Sequence, residues 1–338
     1  MVHQTDSGSP GSSPPGPGRS ARGPALAILA TAPRPGLVLQ ELCPPLRPAE
    51  AGALQTAWLK QIAQELPGIA VFLFGRPTDA LPMLRYFAGP GVELREWRPL
   101  ADAQGPIDPR TSVAGELFAA GYGPVLVRSA EAPEPGTPQL QACAAAVAEG
   151  AFVWAPDQRG AAWLVGCAEP RHAVALHLAQ GQRAGLAAAF AALGLPATTA
   201  VRRGPWARTV RTADDLALLL HERDATRGPP ELPVRNLQAA LAWYEAQFGT
   251  ELLGRDERTA TLRNAAFELR LVERGPAAAP NGLWLCCDDP RRALARFGTG
   301  PDGATPEGPE PVVGGGIEAT VTDLDGNRLT LGTPPPSP

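Results

Sequence analysis

The rhythm of apolar runs changes once, near residue 224, and that break limits the possible folds more than any other feature. Before it, short runs rich in Val, Ile, Leu and Phe alternate with longer stretches of helical periodicity. Strands are expected at Ala25–Thr31, Ile69–Phe74, Val92–Arg95, Pro124–Val127, Ala151–Ala155 and Ala161–Cys167. Helices are expected at Ala49–Glu65, Ala80–Phe87, Thr111–Ala120, Thr137–Glu149, Ala173–Ala192 and Ala213–His221. Strands joined by crossover helices build a mainly parallel sheet covered on both faces. After the break, a helix at Leu237–Phe248 precedes short strands at Leu252–Gly254, Thr259–Arg263 and Phe267–Glu273. The same order then recurs, with a strand at Leu283–Cys287, a helix at Pro290–Phe297, and strands at Glu318–Thr322 and Arg328–Leu331. Two successive units of this kind read as an internally duplicated α+β domain.

The expected organisation is a Gly/Ser/Pro-rich disordered tail over 1–23, an α/β domain over 24–223, a linker over 224–233, a duplicated domain over 234–332 and a tail over 333–338. A length of 338 residues allows both domains a core of their own. The net charge of −4 argues against a nucleic-acid-binding surface, and no apolar run is long enough to span a membrane. Cys43, Cys143, Cys167, Cys286 and Cys287 show neither zinc-site spacing nor a disulfide framework, so a reducing cytoplasm is expected. Arg19 and Arg22 before Ala25–Ala32 also read as a short signal-like stretch, although the same residues fit a first buried strand.

Ala30-Thr-Ala-Pro-Arg-Pro-Gly-Leu-Val-Leu-Gln-Glu-Leu42 resembles the opening of the bacterial glycosyltransferase-like family related to phospholactate guanylyltransferases, A-x-x-P-x-P-G-x-V-K-T-R-L. Three further blocks follow in order: Pro124–Pro133, Trp154–Gly166 and Trp206–Leu216. The resemblance implies a Rossmann-like A-type glycosyltransferase sheet that binds a nucleotide with a divalent metal. The charged residues depart from it. The family's Lys-Thr-Arg is Leu39-Gln40-Glu41, which sets a carboxylate where phosphates would sit. Its metal aspartate falls on Ala130 or, with a shift of one residue, on Glu131; another falls on Arg159, and a pair on Thr209 and Arg211. Only Glu131 and Asp157 remain as catalytic or metal-ligating candidates, and Arg159 and Arg211 are the candidates for an anion or nucleotide pocket.

Val234-Arg-Asn-Leu-Gln-Ala-Ala-Leu-Ala-Trp-Tyr-Glu-Ala-Gln-Phe-Gly249 resembles the opening of the vicinal oxygen chelate superfamily of glyoxalases, dioxygenases and bleomycin-resistance proteins. Val321-Thr-Asp-Leu-Asp-Gly-Asn-Arg-Leu-Thr-Leu331 resembles its closing turn and strand. The metal positions implied by that resemblance fall near Pro229, Glu268, Gly282 and Thr330, so no metal is expected. Strand alternation assigns Trp284, Cys286, Arg328, Thr330, Glu268 and Arg270 to a ligand cleft, unless Trp284 fills that cleft itself.

The expected fold class is therefore α/β: an A-type glycosyltransferase sheet followed by an α+β domain of two βαβββ modules. The expected function is metal-independent binding of a small organic molecule, with no cofactor and with the transferase-like domain inactive. A glycosyl- or nucleotidyltransferase using Glu131, Asp157 and Asp214 or Asp215 is the first alternative, and a glyoxalase- or dioxygenase-type enzyme the second. Two modules in one chain leave a homodimer optional.

Overall fold

The computed structural model describes residues 22–98, 100–102, 105–134, 136–196, 201–223, 228–277, 280–297 and 305–333. Most of the expected amino-terminal tail, residues 224–227 of the expected linker and residues 334–338 lie outside the described residues. No helix among the described residues is long and apolar enough to cross a membrane.

The first domain runs through β1 (Ala25–Thr31), α1 (Pro48–Ile62), β2 (Ala70–Arg76), α2 (Leu81–Arg85) and β3 (Glu93–Glu96). A short hairpin of β4 (Ala101–Asp102) and β5 (Gly105–Pro106) leads to α3 (Pro109–Ala119), β6 (Val125–Ser129), α4 (Thr137–Ala148), β7 (Phe152–Pro156) and β8 (Ala162–Cys167). After α5 (Pro170–Leu178), α6 (Leu186–Ala192) and β9 (Val201–Arg203), α7 (Ala213–Arg223) closes the domain. The main sheet has the order β3-β2-β1-β6-β8-β7-β9. Strands β3, β2, β1 and β6 are parallel, whereas β8 runs antiparallel to both of its neighbours.

Both faces of this sheet are buried, as a parallel sheet requires. On one side Leu26, Ile28, Leu73 and Leu126 pack against Leu59 and Ile62 of α1 and Leu140 and Val147 of α4. On the other, Ala27, Phe72, Phe152 and Val165 meet Val113 and Leu117 of α3, Leu176 of α5 and Phe190 of α6. Period-two alternation in each strand therefore feeds two cores at once. The stretch that also reads as signal-like is the interior strand β1.

The helix expected across Ala173–Ala192 is interrupted. Gln180 (φ 51°) and Gly181 (φ 66°) adopt left-handed backbone conformations, so α5 stops and the chain re-enters a helix only at Leu186. Helical periodicity continues on both sides of the break, and the sequence marks it by Gly181 and Gly185.

The second domain begins inside the stretch expected to be linker, with β10 (Glu231–Val234). Its first module continues with α8 (Leu237–Phe248), β11 (Glu251–Arg255), β12 (Thr259–Arg263) and β13 (Glu268–Glu273). The second module consists of β14 (Gly282–Cys286), α9 (Pro290–Leu294), β15 (Glu307–Pro311), β16 (Ile317–Thr322) and β17 (Arg328–Gly332). The two four-stranded sheets share one strand order, β10-β13-β12-β11 and β14-β17-β16-β15, each with its first strand parallel to its last. Helix α8 begins where the Asn236 side chain accepts the Ala239 amide at 2.9 Å and ends at Gly249 (φ 63°), so its residues carry both stop signals. One core serves both modules, built on Tyr244, Leu262, Leu271, Leu285 and Leu331.

Helix α7 ties the domains together. Its Leu219 packs with Leu42 and Trp58 of the first domain, while the neighbouring Leu218 enters the core of the second.

Candidate functional site

Strands β1, β2 and β6 point their carboxyl ends to one edge of the first sheet, where a doubly wound fold characteristically opens a crevice. A cavity of about 380 Å³ lies there. Thr31, Arg76, Trp97, Arg110, Glu131 and Arg211 give it polar and aromatic walls, and Leu37, Val38 and Leu39 make one side apolar. Arg76 lies 4.3 Å over the Trp97 ring and donates from Nε to the Thr31 hydroxyl at 3.1 Å. Among the described residues it has no acidic partner. Arg110 is committed, because Asp108 accepts its Nε at 2.9 Å and the Ala162 carbonyl accepts its Nη1 at 3.1 Å. Burial alone would push the Asp108 carboxyl up, but the hydrogen bonds and charge of Arg110 hold it below its ordinary value. The Trp97 indole N–H is buried without an acceptor among the described residues.

The residues expected to carry transferase chemistry are spent on one another. Asp157 Oδ1 accepts the Arg159 and Ala161 amides at 2.8 and 2.9 Å, and its Oδ2 accepts the Thr209 hydroxyl at 2.8 Å. Glu131 pairs with Arg211 at 3.1 Å. Arg159 reaches Asp215 at 2.7 Å, and Asp215 also accepts from the Gln158 side chain and the Arg211 and Thr212 amides. Desolvation opposes the ionised Asp215, yet these donors outweigh it and keep the carboxyl below its usual value. Asp214 meets Arg274 of the second domain at 2.7 Å. Among the described residues no group of three His, Cys, Asp or Glu side chains is placed to hold a metal ion. A divalent cation would have to displace Arg211 from Glu131 and a hydroxyl and two amides from Asp157, so these residues do not fit one. Arg159 and Arg211 each have a carboxylate partner, Asp215 and Glu131, whereas Arg76 has none among the described residues.

In the second domain, the pairing of Gly282 with Arg328 and of Trp284 with Thr330 places the expected cleft residues on one sheet face. Cys286 shares that face, half-buried. The first domain covers it. A Cβ on Gly282 would fall 2.2 Å from the Gln158 carbonyl oxygen, and a Cβ on Gly160 would lie 3.1 Å from the Arg328 guanidinium. Arg208 donates to the Gly282 carbonyl at 3.0 Å. Arg203, almost fully buried, donates to Glu318 at 2.8 Å and to the Thr320 hydroxyl at 3.2 Å. The other Glu318 oxygen accepts the Trp284 indole N–H at 3.3 Å. The Thr330 hydroxyl lies 3.4 Å from the Thr320 hydroxyl, and Arg328 Nη2 donates to both Glu307 carboxylate oxygens at 3.0 and 3.1 Å. The second-module half of the expected cleft is thus an interdomain contact. Neither the Gly282 nor the Thr330 position fits a metal. Arg203, Glu318 and Thr320 carry this contact, and no motif in the sequence singles them out.

Glu268 and Arg270 lie apart from that contact, on the first module's sheet. Arg270 donates to the Thr259 hydroxyl at 3.1 Å, sits 3.8 Å from Glu231, and keeps its buried Nε without a partner.

No protein-family model matches this chain, and no curated protein does. Among solved structures, it is similar to a protein described as a nucleotide-diphospho-sugar transferase from Desulfovibrio desulfuricans G20. That match is 16% identical over 62% of this chain and 91% of the other, with a TM-score of 0.50. The chain is also similar to a bleomycin-binding protein complexed with bleomycin, 23% identical over 32% of this chain and 97% of that one, with a TM-score of 0.27. A third is TnmS3, an antibiotic-binding protein from Streptomyces sp. CB03234, 27% identical over 31% and 91%, with a TM-score of 0.26. The first likeness shows the fold of the first domain. The first domain has the nucleotide-sugar-transferase fold, and the second is built of two βαβββ modules that share one strand order.

Proposed function

We propose that this protein binds a small organic anion without a metal, in the cavity at the carboxyl edge of the first sheet. The observation that carries the reading is the wall built from Arg76 and Trp97, an arginine with no acidic partner among the described residues lying on an indole ring. A carboxylate or phosphate on Arg76 would gain a charge-assisted hydrogen bond. Leu37, Val38 and Leu39 suit an apolar body. The transferase-like sheet then serves as a binding scaffold. The expected small-molecule role is kept, while its place moves from the second domain to the first. Five cysteines, all free, fit a cytoplasmic setting.

Thermal-shift and isothermal-titration measurements with a panel of carboxylates, phosphate esters and nucleotides, each with and without Mg²⁺, test this reading. The expected result is saturable binding independent of Mg²⁺. It should weaken at least tenfold, or ~1.4 kcal/mol, in Arg76→Ala and Trp97→Ala and stay unchanged in Glu268→Gln/Arg270→Ala. Binding lost only in the second pair would return the site to the second domain. A strict Mg²⁺ requirement with release of pyrophosphate would restore the transferase alternative.

A further inference from the structure

The two modules of the second domain repeat each other, yet only one of their equivalent edge strands is covered. In the second module the edge is β15. The first domain sits against it: Arg183 holds Glu310 at 2.5 Å, and just beyond the strand Val312 pairs with Arg203 of β9, whose carbonyl accepts the Val313 amide at 2.9 Å. The matching edge of the first module is β11, the last strand in the order β10-β13-β12-β11. All five of its residues are exposed, including Leu252 at 51% and Leu253 at 42%.

We infer that β11 is a self-pairing surface, on which a second copy of this chain adds its own β11 antiparallel about a two-fold axis. An open strand edge is a template for pairing, and soluble proteins ordinarily blunt such edges with charge or proline. β11 carries two adjacent exposed leucines between its terminal charges, Glu251 and Arg255. Its sequence, Glu-Leu-Leu-Gly-Arg, is self-complementary when centred on Leu253. In that register Glu251 faces Arg255 of the second copy, twice by symmetry, and Leu252 faces Gly254 of the second copy. A Cβ at Gly254 would meet nothing within 4 Å, so there is room for a leucine to lie over that backbone. A parallel arrangement would set Glu251 against Glu251 and is disfavoured by like charge. The ion pair of Glu251 with Arg263, 3.1 Å long and exposed on both sides, leaves the carboxylate able to accept a second guanidinium. The register with β12 shifts between Leu252 and Gly254 and leaves Leu253, the centre of the self-pairing register, without a partner in that ladder. An edge of five residues lies at the small end of interface sizes, so association is expected in roughly the micromolar range.

Sedimentation velocity and small-angle scattering on the full chain, over a dilution series from about 1 to 200 µM spanning that range, test the inference. The wild type should pass from monomer to dimer. Leu253→Lys and Glu251→Arg should each remain monomeric across the series, and Glu251→Arg/Arg255→Glu should recover the dimer by exchanging the charges. These positions are exposed, and an unchanged circular dichroism spectrum checks that each variant is folded. A wild type that stays monomeric throughout overturns the proposal. So does a dimer that survives Leu253→Lys, or a charge-exchanged double variant no better than the single. None of these outcomes depends on what the cavity of the first domain binds.

Discussion

Replacing Arg203 with Met should cost this protein about 3–5 kcal/mol, the penalty for orphaning one member of a buried ion pair. The Arg203 and Glu318 side chains are 2% and 9% exposed, and their 2.8 Å contact joins the two domains. Removing the guanidinium leaves a carboxylate whose remaining partner is the Trp284 indole at 3.3 Å, and it strands the Thr320 hydroxyl bond as well. One surviving donor places the expected loss near the lower end, about 3 kcal/mol. Urea unfolding followed by tryptophan fluorescence reads it directly. One further measurement separates charge burial from lost packing. Arg203→Met/Glu318→Met, which removes both charges, should recover most of the stability, because apolar replacement of a whole buried pair is close to neutral. A loss below about 1 kcal/mol, or a double variant as weak as the single, would refute the reasoning.

Gly282→Ala should separate the two domains thermally. Its Cβ would lie 2.2 Å from a main-chain oxygen of Gln158, and Gln158 is fixed by Thr209 and Asp215 and cannot withdraw. Scanning calorimetry should show a loss of about 1–3 kcal/mol and a splitting of the transition, and an unchanged single transition would count against tight docking. Asp215 predicts an acid limb. Its folded-state pKa is lowered, so its contribution is present above the unfolded value and lost as the pH falls through the folded one. Asp215→Asn should therefore be less stable than wild type at neutral pH and should lose less on acidification below about pH 4; equal acid sensitivity would exclude this role.

Much of this architecture is written locally. β1, α8 and β12 run from the first to the last residue that periodicity and capping indicate, because each is fixed by its own alternation or stop signals. β10 and β15 escape notice for a physical reason. Glu-Leu-Pro-Val and Glu-Gly-Pro-Glu-Pro carry the prolines and glycines of loops, and they form strands because neighbouring edges supply their pairing. The site divides in the same way. The departure from the transferase-like pattern is readable at Leu39, Arg159 and Thr209, since each stands inside a recognisable block. The closing of the Trp284 face by Gln158, Arg203 and Arg208 joins residues more than 70 positions apart, and no local pattern encodes such a meeting.

The buried Arg128 has a consequence for how the first domain tolerates change. It lies in β6 with its guanidinium 5.3 Å from the Trp163 ring, it donates to the Ala132 carbonyl, its Nε is unpartnered, and burial pulls its pKa down to about 10. A cation kept from water in this way makes the interior behind the loop after β6 electropositive. Any new basic side chain introduced at Ala130, on the cavity wall, would meet that field as repulsion, while an acidic one would be drawn inward. Variation at that position is thereby steered toward one sign of charge.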